Sequence, residues 1–247
     1  MDTNEFLGTR PRPLIMAHRG NSARCPENTM VAFQQALADG VDIIETDLHV
    51  SADGVFMCIH DLTVDRTTNG SGAVRDMTCA ELQKLSASYG QQEYTQETIP
   101  RLEQLLEILP GSVALALELK TDDFLNENTC QQLRDQIKGM NALERTVTLS
   151  FSRDRLRAVR RYAPDLPTGL ISMTNLIPEK EWSMAGSFWP MMFLNPFYTW
   201  LAHKSGQFVC PLDPTPDSRL WFYRLTGCDA VLTNDPAQTA RALGRGR

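Results

Sequence analysis

The 247-residue chain has no CxxC pair: its six cysteines, Cys25, Cys58, Cys79, Cys130, Cys210 and Cys228, are scattered singly. That spacing disfavours a structural zinc site and a dithiol redox motif, and points to buried or idle thiols in a reducing compartment. Basic charge is also scarce. With 24 Lys and Arg against 30 Asp and Glu, a formal net charge of −6 and a pI near 5.3, the chain lacks the dense basic surface that binding a phosphate backbone requires. The short basic tail of Arg241, Arg245 and Arg247 does not supply one, so nucleic acid is excluded as the main partner. No apolar run is long enough to span a membrane, and residues 1–13 carry two acids and two prolines without an apolar stretch of signal type. The expectation is a soluble, cytoplasmic protein without a transmembrane segment; oligomeric state is left open.

What is present is an alternation of short apolar runs with amphipathic segments, the pattern of repeated βα units around a parallel sheet. With 42% hydrophobic residues the chain can supply a sizeable core, and its length suits one large barrel domain spanning residues 1–247. The pattern predicts strands over residues 14–18, 42–48, 113–120, 146–151, 168–171, 191–194, 207–211 and 230–233. Eight is the number that closes a (β/α)8 barrel of TIM type. Helices fit the gaps, among them residues 28–40, with Asn28 as a cap, and 153–162, with Leu156 and Val159 on one face. The stretch from about 50 to 100 exceeds ordinary connection lengths and is rich in Asp, Gly, Thr and Gln. It is read as a small inserted subdomain between strand 2 and helix 2, with a short strand near 55–59 and a turn at Asn69-Gly70-Ser71-Gly72.

Charged residues that end apolar strands are costly to bury unless paired or bound to a metal. Side chains alternate along a strand, so Glu45 and Asp47 share a face, and Glu118 joins them from the next strand beside Ala114, Ala116 and Lys120. Three converging carboxylates repel unless neutralised, and oxygen-only ligands select a hard divalent cation, Mg2+ or Ca2+. His18, ahead of Arg19 and Gly20, ends the first strand; His60 ends the apolar run of the insertion. Imidazole is suited both to take a proton from an attacking oxygen and to give one to a leaving alkoxide, as breaking a phosphodiester requires. Either histidine can fill either role. Arg19 and Lys120 are placed to meet the non-bridging oxygens, and Glu27 to hold Arg19 or a histidine in position. His49, two residues past Asp47, ranks below the other two histidines, and His203 on an outer helix is structural.

These segments resemble the glycerophosphodiester phosphodiesterase family, in order: His18-Arg19-Gly20, Pro26-Glu27-Asn28-Thr29, Glu45-Thr46-Asp47, His60-Asp61 and Glu118-Leu119-Lys120. Arg66-Thr67-Thr68-Asn69-Gly70, Ile99-Pro100-Arg101-Leu102 and Thr233-Asn234-Asp235-Pro236 extend the likeness over most of the chain. The resemblance implies an α/β barrel of TIM type with the insertion, and hydrolysis of glycerophosphodiesters to glycerol 3-phosphate and an alcohol, by a cyclic intermediate or by direct attack of water. It implies Glu45, Asp47 and Glu118 as metal ligands, His18 and His60 as the acid/base pair, and Arg19 and Lys120 as phosphate contacts. One departure stands out: the family often has an aromatic-containing segment at strand 7, where this chain reads Val209-Cys210-Pro211-Leu212-Asp213-Pro214. Together with the aromatic run of residues 188–200, this keeps lysophospholipids open as substrates, and a catalytically silent barrel that binds phosphorylated ligands is the alternative of a different class.

Overall fold

Eight parallel strands follow one another around a nearly closed barrel in the computed structural model, which describes residues 10–245. The N-terminal segment through residue 9 and Arg247 of the basic tail, both read above, lie outside the described residues. The strands are β1 (Leu14–His18), β2 (Ile43–Val50), β4 (Ala114–Leu119), β5 (Thr146–Ser150), β6 (Thr168–Ser172), β7 (Met184–Ser187), β8 (Phe208–Val209) and β9 (Ala230–Thr233), paired in the order β8-β7-β6-β5-β4-β2-β1-β9. Between the two end strands, the Asp229 backbone N–H donates to the Val209 carbonyl at 2.9 Å, and its carboxylate accepts the Val209 N–H at 2.7 Å. The TIM-type barrel expected from the sequence is the observed fold.

Strand alternation sorts the core into two clusters. Met16, Ile43, Ala116, Leu149 and Leu232 fill the barrel interior. Ile15, Ile44, Leu115, Leu117 and Leu119 point outward and pack beneath the helix shell with Phe33 and Leu133. A fully buried leucine such as Leu117 contributes about 2 kcal/mol. The shell comprises α1 (Met30–Ala38), α3 (Leu102–Ile108), α4 (Glu127–Gly139), α5 (Arg153–Tyr162), α6 (Trp189–Leu194), α7 (Tyr198–His203), α8 (Leu220–Thr226) and α9 (Pro236–Ala242).

Two expectations are corrected. The predicted strand at 191–194 is part of helix α6, and the sixth barrel strand lies earlier, at Met184–Ser187. Met184-Ala185-Gly186-Ser187 has no β-branched residue to announce a strand. Its small residues are required by packing: a Cβ on Gly186 would stand 3.2 Å from both the Cys210 carbonyl oxygen and the Ile171 side chain. Pro190 suits a first helical turn, and Met and Leu are good helix formers. The second correction concerns α1, whose cap is Thr29, its side chain accepting from Ala32 N–H. Asn28 lies outside the helix at φ 55° and serves the site described below.

The long segment after β2 carries β3 (Phe56–Cys58), antiparallel to β2, and α2 (Cys79–Leu82). Met57, Val64, Val74, Leu82 and Ile99 give it a small core of its own. It stands over the C-terminal ends of β1 and β2, where barrels of this type build their active sites.

Candidate active site

His18 ends β1 opposite Glu45 on β2, and Asp47 on β2 lies opposite Glu118 on β4. Register alone therefore brings four polar side chains of the interior face together at the barrel mouth. One carboxylate oxygen from each of Glu45, Asp47 and Glu118 lies within 4.8 Å of the others, and all three residues are buried.

The chain leaves β1 through a tight turn in which Arg19 (φ 58°) and Gly20 (φ 79°) are both left-handed. A Cβ on Gly20 would collide with the Ala32 backbone at 2.6 Å, so only glycine fits. The left-handed bend aims the Arg19 N–H at Glu45 Oε2, 2.9 Å away. The Arg19 guanidinium reaches Glu27 Oε1 at 2.9 Å and lies 3.2 Å from Asp47 Oδ2. Asn28 donates from Nδ2 to Asp47 Oδ2 at 2.9 Å and accepts from the Thr46 hydroxyl at 2.7 Å, so both ends of the loop after β1 lock the β2 carboxylate. Lys120 Nζ donates to Glu118 Oε1 at 2.7 Å and stands 3.5 Å from Asp47 Oδ1.

The electrostatics show what this cluster lacks. Burial, then the Asp47 and Glu118 charges, push Glu45 well above the usual carboxylate range. Burial and Asp47 push Glu118 upward too. Asp47 goes the other way: although burial opposes it, Arg19 and Lys120 hold it below its ordinary value. Asp47 Oδ1 is buried and accepts no hydrogen bond. Like charges held this close, with a buried oxygen left over, are the donor set of a hard divalent cation, and Glu45, Asp47 and Glu118 fit one.

The two histidines are braced differently. His18 Nδ1 meets Asn234 Oδ1 at 2.7 Å, and burial, reinforced by Arg19, lowers its pKa to about 4. His60 Nδ1 meets Asp61 Oδ1 at 2.6 Å. Arg66 grips Asp61, with Nε 2.6 Å from Oδ2, and the same guanidinium takes both oxygens of Glu27 at 2.7 and 3.0 Å. A continuous ionic chain thus runs from His60 through Asp61, Arg66, Glu27 and Arg19 to Asp47. His49 is buried, and its Nε2 donates to the His60 carbonyl at 3.1 Å, so it supports the loop that presents His60. His203 pairs with Asp229 at 2.8 Å.

All eight site residues singled out from the sequence therefore converge on one end of the barrel. Asn28, Asp61, Arg66 and Asn234 were missed as members. Asp61, Arg66 and Asn234 sit inside the motifs quoted for the resemblance, which was the available signal; Asn28 was explained away as a cap.

The mouth opens into a small cleft. His18, Glu45 and Glu118 line one side; Leu149, Ile171 and Leu212 line the other. The unusual segment after β8 thus contributes Leu212 where an aromatic was expected. Asp213 behind it is buried and clamped by Arg219 at 2.7 Å, whose guanidinium lies 4.4 Å from the centre of the Trp189 ring. The aromatic run of residues 188–200 divides: Tyr198 is buried, Trp189 and Phe193 pack edge to face, and Phe197 and Trp200 are exposed beside α8.

Comparison with known proteins agrees with this geometry. The chain is 34% identical over 247 residues to a glycerophosphodiester phosphodiesterase of Caldanaerobacter subterraneus subsp. tengcongensis, covering 95% of this chain and 99% of that protein. The crystal structure of a putative glycerophosphoryl diester phosphodiesterase from Silicibacter pomeroyi superimposes with a TM-score of 0.83 at 26% identity, covering 98% of this chain and 97% of that one. A phosphodiesterase of Oleispira antarctica, solved in complex with the product sn-glycerol-3-phosphate, superimposes with a TM-score of 0.80 at 26% identity, over 94% and 97% of the two chains. The sequence model of the glycerophosphoryl diester phosphodiesterase family matches residues 18–191, so this chain belongs to that family and is a phosphoric diester hydrolase.

Proposed function

We propose that the protein hydrolyses glycerophosphodiesters to a glycerol phosphate and an alcohol, with a divalent cation held by Glu45, Asp47 and Glu118. The observation that carries this reading is the buried carboxylate trio with His18 in register beside it, of which His18, Glu45 and Glu118 line one cleft at the C-terminal end of the barrel. The sn-glycerol-3-phosphate bound by the Oleispira protein, a close structural relative, supports the same substrate class. The cation, Mg2+ or Ca2+, would supply positive charge to the non-bridging phosphate oxygens.

The chain's own residues do the rest. Arg19 and Lys120 add fixed positive charge beside the phosphate and offset the carboxylates when the cation is absent. His18 faces a neutral amide oxygen and His60 a carboxylate, so Nδ1–H is the donor in each and Nε2 is left for the reaction. Burial lowers the His18 pKa to about 4, which suits His18 to accept a proton from the attacking oxygen and leaves His60 to deliver one to the leaving alkoxide. Asp61, Arg66 and Glu27 are positioning residues that fix His60 relative to Arg19.

The test is release of glycerol 3-phosphate from glycerophosphocholine and glycerophosphoethanolamine by purified protein with Mg2+, Ca2+ or a chelator. Release that the chelator abolishes is expected. Full turnover in chelator would remove the cation from the mechanism, and no turnover of either substrate by folded, metal-supplied protein would overturn the reading.

A further inference from the structure

We infer that the outer face built by α6, α7 and α8 docks on an anionic lipid bilayer. Phe193 on α6, Phe197 and Trp200 at α7, and Trp221 and Leu225 on α8 are between 39% and 76% exposed. They form one surface: Phe197, Trp200 and Leu225 line a common groove with Pro196 and Thr226, and the Phe193 and Trp221 rings meet edge to face at 6.4 Å. At about 200 Å² per large side chain, these fractions leave roughly 600 Å² of apolar surface, the upper end of the largest patch on a typical monomer. The face is held from beneath, where Phe193 stacks on the buried Phe222 ring at 4.0 Å. It begins at the barrel mouth: α6 leaves the C-terminal end of β7, and the Trp189 N–H at its start donates to the carbonyl of Leu212, which lines the cleft.

Charge identifies the occupant. The chain has 30 acidic residues, yet residues 182–212 and 218–228, which carry all three helices, contain none. The acids that border these segments are engaged: Glu181 with Arg157, Asp213 with Arg219, Asp217 with Gln238 and Thr239, and Asp229 with His203. Lys204 Nζ lies 4.0 Å from the centre of the Trp200 ring, and Arg224 adjoins Leu225 and donates to the Leu243 carbonyl at 3.0 Å. Both cations are exposed, and neither is in a salt bridge with a carboxylate among the described residues. A second copy of the chain would set these cations against their own kind, with no acid on the facing helices to meet them. Lipid phosphates supply that missing anion. Exposed Trp and Phe beside a lysine whose stem lies along a ring and whose ammonium reaches outward suit a surface seated at headgroup depth. Docking there brings the barrel mouth to the headgroups, whichever phosphodiester is cleaved.

The experiment is co-sedimentation of the full chain with vesicles of phosphatidylcholine, alone or with about 30% phosphatidylglycerol, in chelator so that no divalent cation bridges protein and lipid. The anionic vesicles are expected to take up the protein roughly ten- to thirtyfold better than the neutral ones, about fivefold for each of the two cations. Trp200→Ser and Leu225→Ser, both at exposed positions, should each lower the partition coefficient roughly tenfold with the circular dichroism spectrum unchanged. Lys204→Glu should remove most of the anionic preference, and Leu62→Ser, equally exposed but on the insertion, should leave binding as it is. Uptake by neither kind of vesicle, or uptake undiminished in both serine variants, would overturn the assignment. Equal uptake by the two kinds of vesicle would overturn the part played by charge. Self-association in sedimentation velocity that the same two serine substitutions abolish would give the face to a second copy and overturn the bilayer.

Discussion

The two sides of the barrel mouth solve opposite problems. On the side built by β1, β2, β4 and the insertion, ionised side chains are taken out of water, which is affordable only because they are tied to one another: Arg66 to Glu27 and Asp61, Arg19 to Glu27 and Asp47, Lys120 to Glu118. On the side built by β5, β6 and the segment after β8, Leu149, Ile171 and Leu212 line the cavity and Phe151, Met173 and Ile177 stand partly in solvent. On the first side Arg19, Glu27, Asp61, Arg66 and Lys120 are each held by two partners, whereas Glu45 and Glu118 have one each. The second is smooth and undemanding in geometry. Fixed charge and apolar surface are thereby supplied by separate strands of one barrel.

The sharpest way to break the comparison is to remove its chemistry from the charged side. His18→Ala or His60→Ala is expected to lower kcat on glycerophosphocholine by roughly two to four orders of magnitude with the circular dichroism spectrum unchanged. Turnover like that of the wild type in either variant would take that imidazole out of the reaction.

Next in size is loss of the cation. Asp47→Asn, Glu45→Gln and Glu118→Gln should each weaken divalent-metal binding roughly tenfold or more by calorimetric titration. Wild-type affinity should itself rise with pH, because burial and neighbouring negative charge hold Glu45 and Glu118 above the ordinary range and both must lose protons to bind metal. An affinity unchanged by pH from about 5 to 7 would place the metal elsewhere.

A smaller effect belongs to Arg66. Arg66→Ala should cut kcat roughly tenfold with little change in KM, and Arg66→Lys should restore part of it. The same residue carries a pH dependence of stability. Hydrogen bonds from Arg66 hold Asp61 well below the usual range; Arg66 and Arg19 do the same for Glu27 against the opposing pull of burial. Depressed carboxylate values stabilise the folded state fully above about pH 4 to 5, and the stabilisation fades as the pH falls through them. The melting temperature of the wild type should therefore fall more steeply on acidification than that of Arg66→Ala; parallel curves would show that the network contributes nothing to folding. Smallest of all, Ile177→Ser on the apolar side should change stability by no more than about 0.5 kcal/mol in thermal unfolding, since its side chain is already largely in water.

Legibility in the sequence follows the same division. β1, β2 and β4 could be read because each combines an apolar run with an abrupt charged end, and alternation along β2 and β4 correctly put Glu45, Asp47 and Glu118 on the inner face. β7 could not be read, because small residues chosen for close approach carry no strand propensity, while the Met-Met-Phe-Leu of α6 imitates a buried strand. Asn28 was misassigned for a related reason: Asn before a helix is an ordinary cap, and its contact with Asp47 depends on a left-handed backbone that no local rule requires.

The sequence by itself determined the barrel, the ordered motifs and the residue types of the charged cluster, because periodicity and the cost of burying charge act within a few residues of chain. Only the tertiary structure decided that Arg66 joins Glu27 to Asp61 across 39 and 5 positions of sequence, that Asn234 orients His18 from the far end of the chain, and that Leu149, Ile171 and Leu212 line the same cleft as His18, Glu45 and Glu118. Those are contacts between segments brought together by barrel closure, and pairing across such distances leaves no periodic trace in a single sequence.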